Sequence, residues 1–197
     1  MQNNNKIHSS FRHTKYLFRR KVFKIFGGAF HVYDEMDNLV FYSKQKAFKL
    51  KEDIRIYSDE NMTQELLVLK TPQVFDVWAT YNIFDPISEE EVGSIKRQFI
   101  SSLFRDKWIF FSKDGQEIGT LTEKSLAKAL LCRYIKLIPQ EYCITSSQGM
   151  EIARIKRHFN PFVLKFSMDI NSGTSSIDQR LLVSAGILLA AIERREK

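Results

Sequence analysis

Seven basic residues, Lys6, Arg12, Lys15, Arg19, Arg20, Lys21 and Lys24, precede the first acid of the chain, Asp34. Guanidinium and ammonium groups at this density attract phosphate-bearing partners, a membrane surface or nucleic acid. The chain carries 30 Lys and Arg against 23 Asp and Glu, a formal charge of +7, so this first segment holds the whole excess. Further along, Lys70, Lys96 with Arg97, and Lys156 with Arg157 recur at equivalent places in a repeating pattern. The candidate anion-binding set is Arg19, Arg20, Lys21, Lys24, Lys96, Arg97, Lys156 and Arg157. Two readings stand side by side: a basic rim gathered at one end of a fold, or solvated strands whose cations pair with turn acids such as Glu89, Glu90 and Glu91.

Signs of catalysis are missing. There is no G-x-S-x-G, P-loop, Rossmann glycine pattern or H-E-x-x-H. His8 and His13 fall in the N-terminal segment, and His31 and His158 on separate strands, so surface or hydrogen-bonded roles are expected. Cys132 and Cys143 lie in apolar runs without a partner at ligand spacing, which makes both packing residues. Gly27 and Gly28 open no helix and read as a hairpin turn. No enzyme activity, cofactor or metal is expected.

The elements that position the basic residues follow a beat. Strand-like segments begin at Leu39, Leu66, Val92, Ile118 and Ile152, at intervals of 27, 26, 26 and 34 residues. Each follows a polar turn: DEMDN, SDENMTQ, DPISEEE, SKDGQ and TSSQGM. The long interval contains Leu126, Ala129, Leu130, Tyr134 and Leu137 at helical spacing, which predicts an inserted helix ended by Pro139. In FDVWATYNI, residues 75–83, and FVLKFSMDI, residues 162–170, apolar and polar residues alternate as in strands with one wet face. About a dozen strands joined mostly by short turns predict an antiparallel meander. One sequence leaves open whether the beat is duplication or hairpin rhythm.

The last apolar run, Leu181 to Ile192, is 12 residues long and includes Ser184 and Gly186. At about 1.5 Å per residue it spans roughly 18 Å, short of a ~30 Å bilayer core. Ser176 and Gln179 have capping-box spacing, and Arg194, Arg195 and Lys197 suit the negative end of a helix dipole. A helix apolar all round needs an enclosing core, and a meander closed around it supplies one. Small residues Ser184, Ala185, Gly186, Ala190 and Ala191 let a wall approach closely. Residues 1–14 read as a basic, disordered tail and residues 15–197 as one domain. Without a signal peptide or transmembrane helix, a cytoplasmic location is expected, with peripheral membrane contact allowed by the charge.

The order of these elements carries a resemblance. Residues 16–60, YLFRRKVFKIFGGAFHVYDEMDNLVFYSKQKAFKLKEDIRIYSDE, then the hairpin beat, then RHFNPFVLKFSMDI and DQRLLVSAGILLAAIERR resemble the tubby C-terminal-like, LURP-one-related and phospholipid scramblase superfamily, in its bacterial members. The resemblance implies a closed antiparallel barrel around a buried C-terminal helix. It also implies a non-enzymatic binding module for anionic phospholipid headgroups. The scramblase calcium-loop equivalent, DINSGTSSIDQR, has Gly173, Thr174 and Arg180 where ligands and the turn glycine belong, so no calcium site is expected. Nucleic acid or a protein partner are the alternatives for the same basic patch, Phe18, Phe23 and Phe26 being available to stack bases. Oligomeric state is left open.

Overall fold

The computed structural model describes residues 7–21, 28–45, 53–71, 79–100, 105–124, 140–160, 163–171, 173 and 176–192. Twelve strands follow in chain order: β1 (Lys15–Lys21), β2 (Gly28–Tyr33), β3 (Leu39–Gln45), β4 (Ile54–Tyr57), β5 (Glu65–Lys70), β6 (Thr80–Asp85), β7 (Glu90–Ile100), β8 (Arg105–Ser112), β9 (Glu117–Glu123), β10 (Glu141–Ser146), β11 (Glu151–His158) and β12 (Val163–Ile170). Each pairs antiparallel with its sequence neighbours, and β12 pairs with β1, so the sheet closes. Among the described strands, closure leaves none with an unpaired neighbour position for another chain to extend. The predicted inserted helix, Cys132 and the Gly27 turn lie outside the described residues.

The strands the beat located are β3, β5, β7, β9 and β11. The turns before them hold because short polar side chains bond nearby amides. Asp34 Oδ1 accepts from the amides of Met36 and Asn38 at 2.9 and 2.8 Å. Asp85 Oδ1 accepts from Ile87 and Ser88, and Ser146 Oγ from Met150. Burial pushes the Asp34 carboxyl up, but the bonds from Asn38 and Met36 more than offset it, leaving a pKa below the usual range. Met62 reaches φ +59° beside Asp59, whose carboxylate bonds Thr63 and Ser58.

The inner wall is apolar. Phe18, Phe41, Ile83, Phe110, Ile144 and Phe166 have 1% or less of their surface exposed. Down the axis runs α1 (Gln179–Ile192), in which every residue from Arg180 to Ala191 is buried. At Gly186 a Cβ would stand 2.4 Å from Phe18 Cζ, so only glycine lets the helix approach β1 this closely.

Two local expectations change. The helix is capped by Asp178, not by a Ser176–Gln179 box: Asp178 Oδ1 accepts from the Arg180 amide, and the Asp178 carbonyl from Leu181. Gln179 instead donates to the His13 carbonyl and the Tyr16 hydroxyl. The N-terminal segment is not all tail, because Ser9–Arg12 forms a 3-10 turn with Phe11 1% exposed. Phe11 packs 4.8 Å, ring to ring, from Phe41, and the Tyr16 hydroxyl donates to the Ser10 carbonyl. An aromatic ring there repays ordering the turn, so the packed domain begins before Lys15.

Candidate basic face at one end of the barrel

In a closed meander, alternate turns fall at opposite ends. The five turns 34–38, 58–64, 86–89, 113–116 and 147–150 therefore share one end, and among them only Lys113 is basic. Acids gather there, including Asp34, Glu35, Asp37, Asp59, Glu60, Asp85 and Glu89. The strands run away from those turns towards Lys44, Lys70, Lys96, Arg97, Lys156 and Arg157, with Lys165 near the start of β12. Among the described residues, Asp53, Asp106, Glu123 and Glu141 are the acids on that side. The barrel is acidic at one end and basic at the other.

The helix enters at the acidic end. Arg180 is 4% exposed, and its Nη1 lies 2.6 Å from Asp85 Oδ2 and 2.9 Å from Glu90 Oε1; its Nη2 lies 2.7 Å from Asp178 Oδ2. Burial opposes its charge, but bonds to Asp178, Asp85 and Glu90 outweigh that and push its pKa upward. At the basic end Arg20 Nη1 donates to the Ala190 and Ala191 carbonyls at 3.3 and 3.2 Å. A cation from a neighbouring strand thus serves the negative end of the helix dipole. The expected helix-end cations Arg194, Arg195 and Lys197 lie outside the described residues.

Strand parity sorts the candidate residues. Tyr16, Phe18 and Arg20 share the inner face of β1, Ile95 and Arg97 that of β7, and Ala153, Ile155 and Arg157 that of β11. In each adjacent pair the second residue, an arginine, faces the interior and the first faces out. Arg20 lies over Phe30 at 4.5 Å, Arg97 over Trp108 at 5.7 Å, and Arg157 donates to Gln140 Oε1 at 2.8 Å. These three arginines line the barrel mouth and are not outer-surface cations. Of the turn acids, Glu90 is engaged by the buried Arg180 and Asp37 by Arg19. Two outward cations of the candidate set have acid neighbours: Arg19 meets Asp37 at 3.3 Å, and Lys156 meets Glu141 at 3.9 Å.

Register then brings distant segments together. Arg19 pairs with Lys165 across β1 and β12, and Lys165 pairs with His158 across β12 and β11. Lys156 lies two residues before His158 on the same outer face. The result is a ridge of Arg19, Lys165, His158 and Lys156 over three adjacent strands. Burial, then the charges of Lys165 and Lys156, hold the His158 pKa below its usual value. Its Nε2 lies 2.9 Å from Ser167 Oγ. Like charges directly across a pair of strands disfavour the isolated fold and favour an anion laid over them. Lys21 pairs with Val163 beside this ridge. Lys24 lies outside the described residues, and Lys96 stands on β7, away from the ridge.

His158 and Lys165 were missing from the residues expected at this face. The alternation of β12 places Lys165 outside, but only the β1–β12 register puts it opposite Arg19. Elsewhere His31 bonds Glu60 at 2.7 Å, and Cys143 is buried, its thiol pushed up to about 11 chiefly by burial. Among the described residues no group of three or more His, Cys, Asp or Glu could hold a metal. In the calcium-loop equivalent, Asn171 donates to the Glu151 carbonyl at 2.7 Å. No described helix is long and apolar enough to cross a membrane.

A closed twelve-stranded antiparallel barrel around one C-terminal helix, with its two ends oppositely charged, defines the class of this protein. The chain belongs to the LURP-one-related family, whose model matches residues 14–190. No curated protein and no solved structure matches it.

Proposed function

We propose that this LURP-one-related barrel is a non-enzymatic binding module that docks its basic end on membranes carrying acidic phospholipid headgroups. The observation that carries this reading is the ridge of Arg19, Lys165, His158 and Lys156, built from three adjacent strands with like charges face to face. Lys165, His158 and Lys156 present donors to phosphate oxygens, while Arg19 at the ridge's far side is held by Asp37 of turn 34–38. Each cation near an acidic membrane contributes about 1 kcal/mol, so a few suffice for reversible attachment. An apolar interior filled by the helix and a Cys143 thiol held protonated favour binding over chemistry.

Flotation with vesicles tests this. The protein should rise with phosphatidylcholine vesicles containing acidic phospholipid, stay behind with phosphatidylcholine alone, and be released by salt. The K156E/K165E variant should lose the attachment while melting normally. Equal binding to neutral and acidic vesicles would remove the reading.

A further inference from the structure

We propose that Phe159, in the turn between β11 and β12, is an apolar anchor that enters the lipid interface when the basic ridge docks. This deepens the membrane reading above and rests on it. Five large hydrophobic side chains are exposed among the described residues: Met36, Met62, Ile87, Met150 and Phe159. The first four sit in the turns of the acidic end, where an acidic membrane repels approach. Phe159 is the aromatic one, is 60% exposed, and is the one at the basic end.

Its surroundings suit an interfacial role. Phe159 directly follows Lys156, Arg157 and His158, and His158 pairs with Lys165. Asn160 Oδ1 accepts from the Val163 amide at 2.9 Å, which ties the residue after Phe159 to the start of β12. β1 runs alongside, with Lys21 opposite Val163. A single exposed aromatic ring is ordinary on a protein surface. One that follows a strand carrying the outward Lys156, with Lys165 on the next strand, has the arrangement that interfacial segments use, with the ring at the acyl boundary and the cations among headgroups.

Two variants test it on the full chain. F159W should be quenched by brominated acyl chains in mixed phosphatidylcholine and phosphatidylserine vesicles, beyond the parent protein's own Trp78 and Trp108 signal. F159S should bind those vesicles about tenfold more weakly, a factor equal to about 1.4 kcal/mol, with an unchanged melt. Soluble glycerophosphoserine should not compete strongly, since a free headgroup offers no acyl layer for the ring; effective competition would overturn the anchor. Full vesicle binding by F159S, with no extra quenching of F159W, would overturn the anchor and leave electrostatic docking standing. Failure of the parent protein to bind acidic vesicles would remove both proposals together.

Discussion

Arg180 Nη1 lies 2.6 Å from Asp85 Oδ2, a buried ion pair that ties the first turn of the core helix to the end of β6. Side-chain exposures of 5% and 2% put both charges out of water. Glu90, Asp178 and Ser88 also accept from the guanidinium. The network fixes where the helix enters the barrel.

Removing one partner of that pair strands the other. Arg180→Met or Asp85→Ala should each cost about 3–5 kcal/mol, as for other buried pairs that lose one member. Urea unfolding of the variants measures it. A loss below 1 kcal/mol would show that water reaches the site and that the pair does not anchor the helix.

The helix as core gives a second expectation. Gly186→Ala should destabilise by about 1–3 kcal/mol through overpacking on Phe18, and Phe18→Leu should relieve part of that cost. Leu182, fully buried, should tolerate no carboxylate: Leu182→Asp should prevent cooperative folding. A double-mutant cycle on residues 18 and 186 with no coupling would contradict the close approach.

Inner and outer cations should separate by phenotype. Arg20→Met removes bonds to the Ala190 and Ala191 carbonyls and should lower the melting temperature. Lys165→Gln removes an outer charge opposed to Arg19 and should leave the melt unchanged or raise it, while weakening vesicle binding. Thermal melts with vesicle sedimentation on both proteins check this. Identical phenotypes would mean that facing does not matter.

Acid should act through His158. Burial and the adjacent Lys165 and Lys156 lower its folded pKa, against Asp169, which raises it. The unfolded chain therefore takes up the proton first, below about pH 6.5. Stability from this group is complete above that pH and is lost as pH falls towards the lower folded value. Melting temperature should drop over that window, and His158→Gln should flatten the drop. Vesicle binding should tighten over the same window, because an acidic surface favours the protonated ring.

Much of the fold was legible because its signals are local. Turn residues such as Asp34, Asp85 and Ser146 bond amides two to four positions away, so the turns and the strands after them can be found from short stretches. The terminal helix was legible too, since twelve apolar residues too short for a bilayer require an enclosing wall. Strand parity already separates Arg20, Arg97 and Arg157 from their outward neighbours, as each is in phase with buried residues such as Phe18, Ile95 and Ile155.

Contacts between distant segments were not legible. Phe11 is isolated in a polar stretch, and only the cleft beside Phe41 makes it core. Arg20 lies 170 positions from the Ala190 carbonyl it bonds, so the helix-end cations nearest in sequence were the natural expectation. Sequence by itself determined the strands, the turns, the central helix and the excess of positive charge. Tertiary structure decided which charges share a surface, because the β1–β12 pairing that closes the barrel sets Arg19 against Lys165 at a separation no local pattern encodes.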